Sequence, residues 1–279
     1  MVSNIFLSGS KTFLAGEYAV LFGGSAVVLV TPPEFQLTIK EGKTERFGID
    51  VGSPADLFYK SHDFGGISMK FCDPHNGSGG LGASSAQFAT LYKLHLQLTG
   101  QKFNVESFLD EYKRLSCLNE GGVAPSGADC VAQYFNRHIF FNSQTQSTET
   151  INWNFPNLDF VVFKTEYKTP TYLHLQKLSP IRITELENAV LNIKKSFTDA
   201  NEESLTYNVQ IFFNLLKEKN LIMAQIALTV DRLLKIDGVK SAKGCGALGA
   251  DAIIVIFEKS ARSILLKKAQ NLGLRQINI

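Results

Sequence analysis

The run Asn76-Gly77-Ser78-Gly79-Gly80-Leu81-Gly82-Ala83-Ser84-Ser85-Ala86 constrains this chain more than any other segment. Its glycines let the backbone turn tightly and point successive N–H groups at one place, a nest suited to anions. The hydrophobic period also changes across it. Before it, residues 5–7, 11–14, 26–31 and 67–71 are short β-rich runs, and residues 35–40 alternate apolar and polar as a half-buried strand does. After it, Phe88, Leu91, Leu94 and Leu98 recur at helical spacing. A helix that begins where the glycines stop aims its unpaired N–H groups and the positive end of its dipole at the same point. Ser84 and Ser85 add hydroxyls suited to phosphate or magnesium. A flexible Gly/Ser linker ending in a serine N-cap is the plain alternative. Leu81 in the middle of the run and its direct entry into an amphipathic helix weigh against a linker. The run is not a Walker loop, since no Gly-Lys-Ser/Thr closes it, and its glycine spacing fails the dinucleotide fingerprint.

The remaining pattern predicts a mixed α/β (α+β) chain. Val105, Phe108, Leu109, Tyr112 and Leu115 mark a second helix, and a third starts at Ser126 and carries Val131 and Phe135. Helices follow over 184–197, 201–219 and 221–236. Strands fall at 138–141, 158–163 and 252–257. The pair Pro32-Pro33 breaks the chain between two of the early runs. The polar, turn-rich stretch 142–157 is the expected boundary between a first domain, 1–155, and a second, 156–279.

Length and composition narrow the class. A chain of 279 residues, 44% hydrophobic and 19% charged, fits two domains or one large α/β domain with a sizeable core. Lys+Arg 28 against Asp+Glu 26 leaves a net charge of +2, so no strong field steers it to nucleic acid or to an anionic membrane. Cys72, Cys117, Cys130 and Cys245 form no CxxC pair and no zinc spacing, as reduced, mostly buried thiols would. The first residues lack a signal-peptide pattern, and the apolar run 26–30 is too short to span a bilayer. The expectation is a cytoplasmic protein.

Two other segments could carry chemistry. In Pro125-Ser126-Gly127-Ala128-Asp129, Ser126 with Asp129 three residues later has the form of a capping box with a shortened acid; a capped helix start can also aim a carboxylate into a site. The segment Ser241–Asp251, with Lys243, Gly244, Cys245, Gly246 and Gly249, is rich in small residues that let a backbone or a phosphate approach closely. A tight turn over 243–250 before a buried strand reads the same way.

These loops, together with Ser8-Gly9-Ser10-Lys11-Thr12-Phe13-Leu14-Ala15-Gly16-Glu17-Tyr18, resemble in order and spacing the motifs of the GHMP kinase superfamily, which includes galactokinase, homoserine kinase, mevalonate kinase and phosphomevalonate kinase. The resemblance implies a two-domain fold with the active site in the interdomain cleft, ATP and Mg2+ as cofactors, and phosphoryl transfer to a small metabolite. It implies Asp129 as catalytic carboxylate with Lys11 as its cationic partner, and Gly79, Gly80, Leu81, Gly82, Ala83, Ser84, Ser85 and Ala86 around the triphosphate. Ser84 (or Ser85) and Glu120 would meet the metal. Glu17, Lys168, Thr169, Thr171 and Gly246 would face the acceptor. The chain departs from the family pattern in carrying Gly9-Ser10 before Lys11 where the family has Pro-Gly, and Gly82-Ala83-Ser84 where it has Gly-Ser-Ser. A hydroxyl acceptor of the mevalonate kinase kind suits a carboxylate base. Gly16-Glu17-Tyr18 is closer to phosphomevalonate kinases, and a non-catalytic ligand- or partner-binding protein on the same fold is a third reading. A homodimer is compatible with all three.

Overall fold

Two long strands begin the chain, β1 (Ile5–Ala15) and β2 (Ser25–Glu41). The computed structural model describes residues 4–43, 45–77, 80–120 (side chains to 117), 124–167 and 183–277. The chain divides into two units, Met1–Lys11 with Val30–Arg137, and Thr12–Leu29 with His138–Ile279.

In the first unit, β3 (Arg46–Phe47), α1 (Pro54–Ser61), β4 (Ile67–Cys72), α2 (Ala83–Thr99), α3 (Val105–Glu120) and α4 (Ala128–Phe135) follow the strands. The alternation over 35–40 is a strand face: Phe35, Leu37 and Ile39 are buried, and Gln36 to Glu41 pair antiparallel with Cys72 to Ile67. The helices bury an aromatic network. Phe88 of α2 lies 5.3 Å from Phe58 of α1 and 5.4 Å from Phe108 of α3, while Phe103 stacks at 3.8 Å on Tyr134 of α4. Rings at these separations add attraction beyond the area they bury. Helix α1 was not foreseen. It is short, and one of its three buried residues is Asp56, which masks its apolar face. Its start is capped by Ser53, whose side chain accepts from the Asp56 N–H.

Pro32 and Pro33 do not break the chain as expected. They lie inside β2, between the stretch 25–28 that pairs with the following unit's strand and the stretch 36–41 that pairs with β4. The missing N–H groups fall outside both of these ladders; β2 also pairs with β1, and there Pro33 still accepts from the Ser10 hydroxyl through its carbonyl.

The second unit adds β5 (Ile139–Asn142), β6 (Ser147–Thr150), β7 (Leu158–Lys164), α5 (Thr184–Thr198), α6 (Glu202–Glu218), α7 (Ala224–Leu233), β8 (Val239–Cys245), β9 (Ala252–Glu258), α8 (Arg262–Asn271) and β10 (Arg275–Gln276). A four-stranded antiparallel sheet runs β10-β7-β9-β8. Side chains alternate across it. Ala252, Ile254 and Ile256 of β9 join one core with Leu186, Val190 and Ile193 of α5 and Val209 and Phe212 of α6. Ile253, Val255 and Phe257 join another with Ile226 and Val230 of α7 and Leu265 of α8. Both faces are covered, which is why the strand reads as a continuous apolar run. Asn201 caps α6 through its side chain on the Ser204 N–H, 2.8 Å away. The segment 243–250 is not one loop: Lys243, Gly244 and Cys245 complete β8, paired with Ile254, Ile253 and Ala252, and the turn starts only at Gly246. Hidden among the polar residues 142–157 is β6, whose exposed side chains leave no apolar signal.

Candidate active site

The first unit brings Lys11, the end of the glycine run and Asp129 together. Lys11 sits on β1, where Gly9 has no room for a side chain: an added Cβ would strike Val30. The Lys11 N–H donates to the Leu81 carbonyl at 3.0 Å, and Leu81 is buried. This part of the run is therefore pinned to the strand and does not behave as a loose linker. Gly82 is the N-cap of α2 with φ 91°, a conformation glycine adopts without steric cost. A Cβ there would also lie 2.6 Å from Lys11 Cγ and 2.8 Å from Gln133 Nε2. The first helical bond runs from Ala86 N–H to Gly82 O at 2.8 Å, so the N–H groups of Ala83, Ser84 and Ser85 have no partner within the helix.

Adjacent residues on a helix point about 100° apart, and this separates the two serines. Ser84 is exposed and Ser85 is buried. The Ser85 hydroxyl donates to Gln133 Oε1 at 2.6 Å, with Gly82 O at 3.1 Å and Asp129 Oδ2 at 3.3 Å as further acceptors.

Asp129 stands in the first turn of α4. The expected helix start at Ser126 is displaced two residues: the N-cap is Gly127, φ 76°, with no side-chain cap bond. Ser126 Oγ accepts instead from the Ala128 N–H at 3.3 Å. Glycine's left-handed turn redirects the chain after Ser126, so no capping box forms. Asp129 Oδ1 accepts from the Cys130 N–H at 2.9 Å, and Oδ2 faces Lys11 Nζ at 3.5 Å, with both side chains less than a fifth exposed. Cys130 is buried beneath them, and burial pushes its thiol well above the ordinary range.

Gln133, which the sequence reading passed over, joins these parts. It is fully buried. Its Nε2 donates to Gly9 O at 2.9 Å and Gly82 O at 3.1 Å, and its Oε1 accepts from Ser85. Its one sequence signal is a polar residue four positions after Asp129, hence on the same helix face. A second overlooked contact is His75 Nε2 with Ser10 Oγ at 2.5 Å.

In the second unit, Glu17 lies with β8 and the turn that follows it. Lys243 is fully buried and donates to Glu17 Oε1 at 2.6 Å and Phe13 O at 3.1 Å. Burial alone would depress the Lys243 ammonium, but Cys245 and Glu17 outweigh it and its pKa is raised. Burial raises the Tyr18 hydroxyl as well; that oxygen accepts from the Leu248 N–H at 2.9 Å. Gly246 has φ 85°, and a Cβ there would collide with the Asp251 carboxylate. Gly79, Lys168, Thr169 and Thr171 lie outside the described residues, as does the Glu120 side chain. Among the described residues, no group of three or more His, Cys, Asp or Glu could hold a metal ion, and no helix is long and apolar enough to cross a membrane.

No family model and no curated protein sequence matches the chain significantly. Its fold matches solved structures closely. Phosphomevalonate kinase of Streptococcus pneumoniae superposes with a TM-score of 0.79 at 16% identity, covering 98% of this chain and 97% of that one. Mevalonate kinase of Methanococcus jannaschii gives 0.73 at 17%, covering 98% and 96%. Galactokinase of Lactococcus lactis, solved with galactose, gives 0.77 at 12%, covering 99% and 93%. The chain has the two-domain GHMP kinase fold.

Proposed function

We propose that the protein is an ATP-dependent small-molecule kinase in which Asp129 and Lys11 carry the chemistry. The observation that carries this reading is the Asp129 carboxylate 3.5 Å from Lys11 Nζ, beside a glycine-capped helix start whose N–H groups suit phosphate oxygens. Phosphoryl transfer asks mainly for positioning and charge stabilisation. In this scheme the backbone from Gly80 to Ala86 holds the triphosphate, Lys11 stabilises charge on the transferred group, and Asp129 accepts the proton of the acceptor hydroxyl.

Magnesium fits this donor set. Mg2+ commonly takes one or two protein oxygens and completes its shell with substrate phosphates and water. Ser84 is the better protein donor because the Ser85 hydroxyl is committed to Gln133. The ion would neutralise charge on the phosphate oxygens.

We favour a hydroxyl acceptor of the mevalonate kind, because a carboxylate base has a proton to remove there. A phosphate acceptor is the second reading, supported by Tyr18 after Gly16-Glu17 and by the likeness to a phosphomevalonate kinase. Incubation with labelled ATP and mevalonate, phosphomevalonate or galactose separates them by which product is labelled. Asp129→Asn keeps the oxygen that receives the Cys130 N–H, so its melting temperature should hardly move. Turnover should fall by about 10²–10⁴-fold. Labelling of none of the three acceptors, or near-normal turnover in the folded variant, would count against the reading.

A further inference from the structure

We propose that Gln133 is a positioning residue that fixes the phosphate-binding turn relative to the strand bearing Lys11. The inference rests on the kinase reading above and adds a residue that the family resemblance did not supply.

The Gln133 amide has one donor end and one acceptor end. Two backbone carbonyls, Gly9 O and Gly82 O, face one end of the side chain, and carbonyls only accept. That end must be the NH2 group, so the carbonyl end is the one that receives the Ser85 hydroxyl. All three bonds lie in a site where Gln133 is fully buried, and removing the amide breaks all of them at once. The three partners are not equivalent structural filler. Gly9 is two residues before Lys11 on β1, Gly82 is the N-cap of α2, and Ser85 closes the first turn of that helix. Gln133 itself lies one helical turn beyond Asp129. A single amide thus ties together the strand carrying the cation, the turn carrying the phosphate-facing N–H groups, and the helix carrying the carboxylate.

Glycine at 82 sharpens the point. Its conformation leaves the turn without a side chain to brace it, and the atoms nearest to its missing Cβ are Lys11 Cγ and the Gln133 amide. Those two side chains form the wall against which the turn rests. Without the amide, the turn keeps the Lys11 N–H bond to Leu81 O as a tether and the Gly82 carbonyl keeps its donors from within α2, but the bond that ties Gly82 to α4 is lost. Displacements of about 1 Å at such a site can cost 10²-fold in rate.

The test compares Mg2+-AMPPNP with AMP, binding measured by calorimetry, in the wild type and in Gln133→Met, which has similar volume and no hydrogen-bonding amide. The ratio of the two affinities isolates what the distal phosphates contribute. In Gln133→Met the ratio should fall about 10-fold, the scale of a lost hydrogen-bonded constraint, while AMP binding stays unchanged. Gln133→Leu, which is neutral and also lacks both donations from the amide nitrogen, should show the same fall and serves if the methionine variant does not fold. A lower melting temperature with the wild-type ratio intact, in either folded variant, would overturn the proposal and leave Gln133 a packing residue. A wild type that binds AMPPNP no tighter than AMP would instead sink the phosphate-site reading, and this inference with it.

Discussion

The Lys243–Glu17 pair offers a prediction whose size can be worked out. Lys243 has no exposed surface and the Glu17 side chain is 8% exposed. Replacing Lys243 by Met keeps most of the volume and removes the ammonium. Glu17 Oε1 then loses its 2.6 Å partner, and Oε2 already has none among the described residues. The Phe13 carbonyl loses a donor too. Removing one member of a buried pair typically costs about 3–5 kcal/mol, because the remaining charge is stranded. At about 2–4 °C per kcal/mol for a body of this size, the melting temperature should fall by about 6–20 °C. The assay has a built-in reporter. Trp153 is the sole tryptophan and packs against the same core as Leu14, Tyr18 and Cys245, so its fluorescence follows the unit that holds the pair. Lys243→Met/Glu17→Gln removes the stranded charge and should recover at least half of the loss. A fall of less than 2 °C in Lys243→Met, or a double variant no more stable than the single, would refute the argument that the pair is a buried electrostatic unit.

Ser84→Ala should raise the Mg2+ concentration needed for half-maximal turnover several-fold and leave the melt unchanged, since its hydroxyl is exposed; an unchanged Mg2+ titration would remove Ser84 from the metal site. Asp56 is fully buried and ion-paired with Arg46 and Lys60. Burial presses its carboxyl upward, but Lys60, the Gly52 N–H and Arg46 outweigh it and hold it below the ordinary range. A carboxyl lowered in the folded state contributes stability that is present above its unfolded pKa of about 3.9 and is lost as pH falls through the folded value. Asp56→Asn should therefore cost about 3 kcal/mol at pH 7 and flatten the loss of stability below pH 4 seen by circular dichroism; an acid limb identical to the wild type would assign that loss elsewhere.

Local pattern carried much of the architecture. The 3.6-residue period marked α5 and α6, and the alternation over 35–40 marked a strand face, because both are set by which side of one element meets the core. The glycine at 82 was legible as a backbone requirement, and Lys11 and Asp129 as candidates through the order of motifs. Other features depended on partners far away in the chain. The sequence could not choose between Ser84 and Ser85, since only the phase of α2 against Gln133 turns one inward. It could not show that Pro32 and Pro33 sit between two ladders, because that depends on where β4 and β5 pair. Lys243 and Glu17 are 226 positions apart, and neither residue's neighbours reveal that the other will neutralise it. Gln133 looked like one polar residue on a short helix until the fold placed two carbonyls and a hydroxyl around it. Periodicity is a property of one segment and survives in the sequence; a hydrogen bond between segments exists only once the chain path has brought its donor and acceptor within about 3 Å.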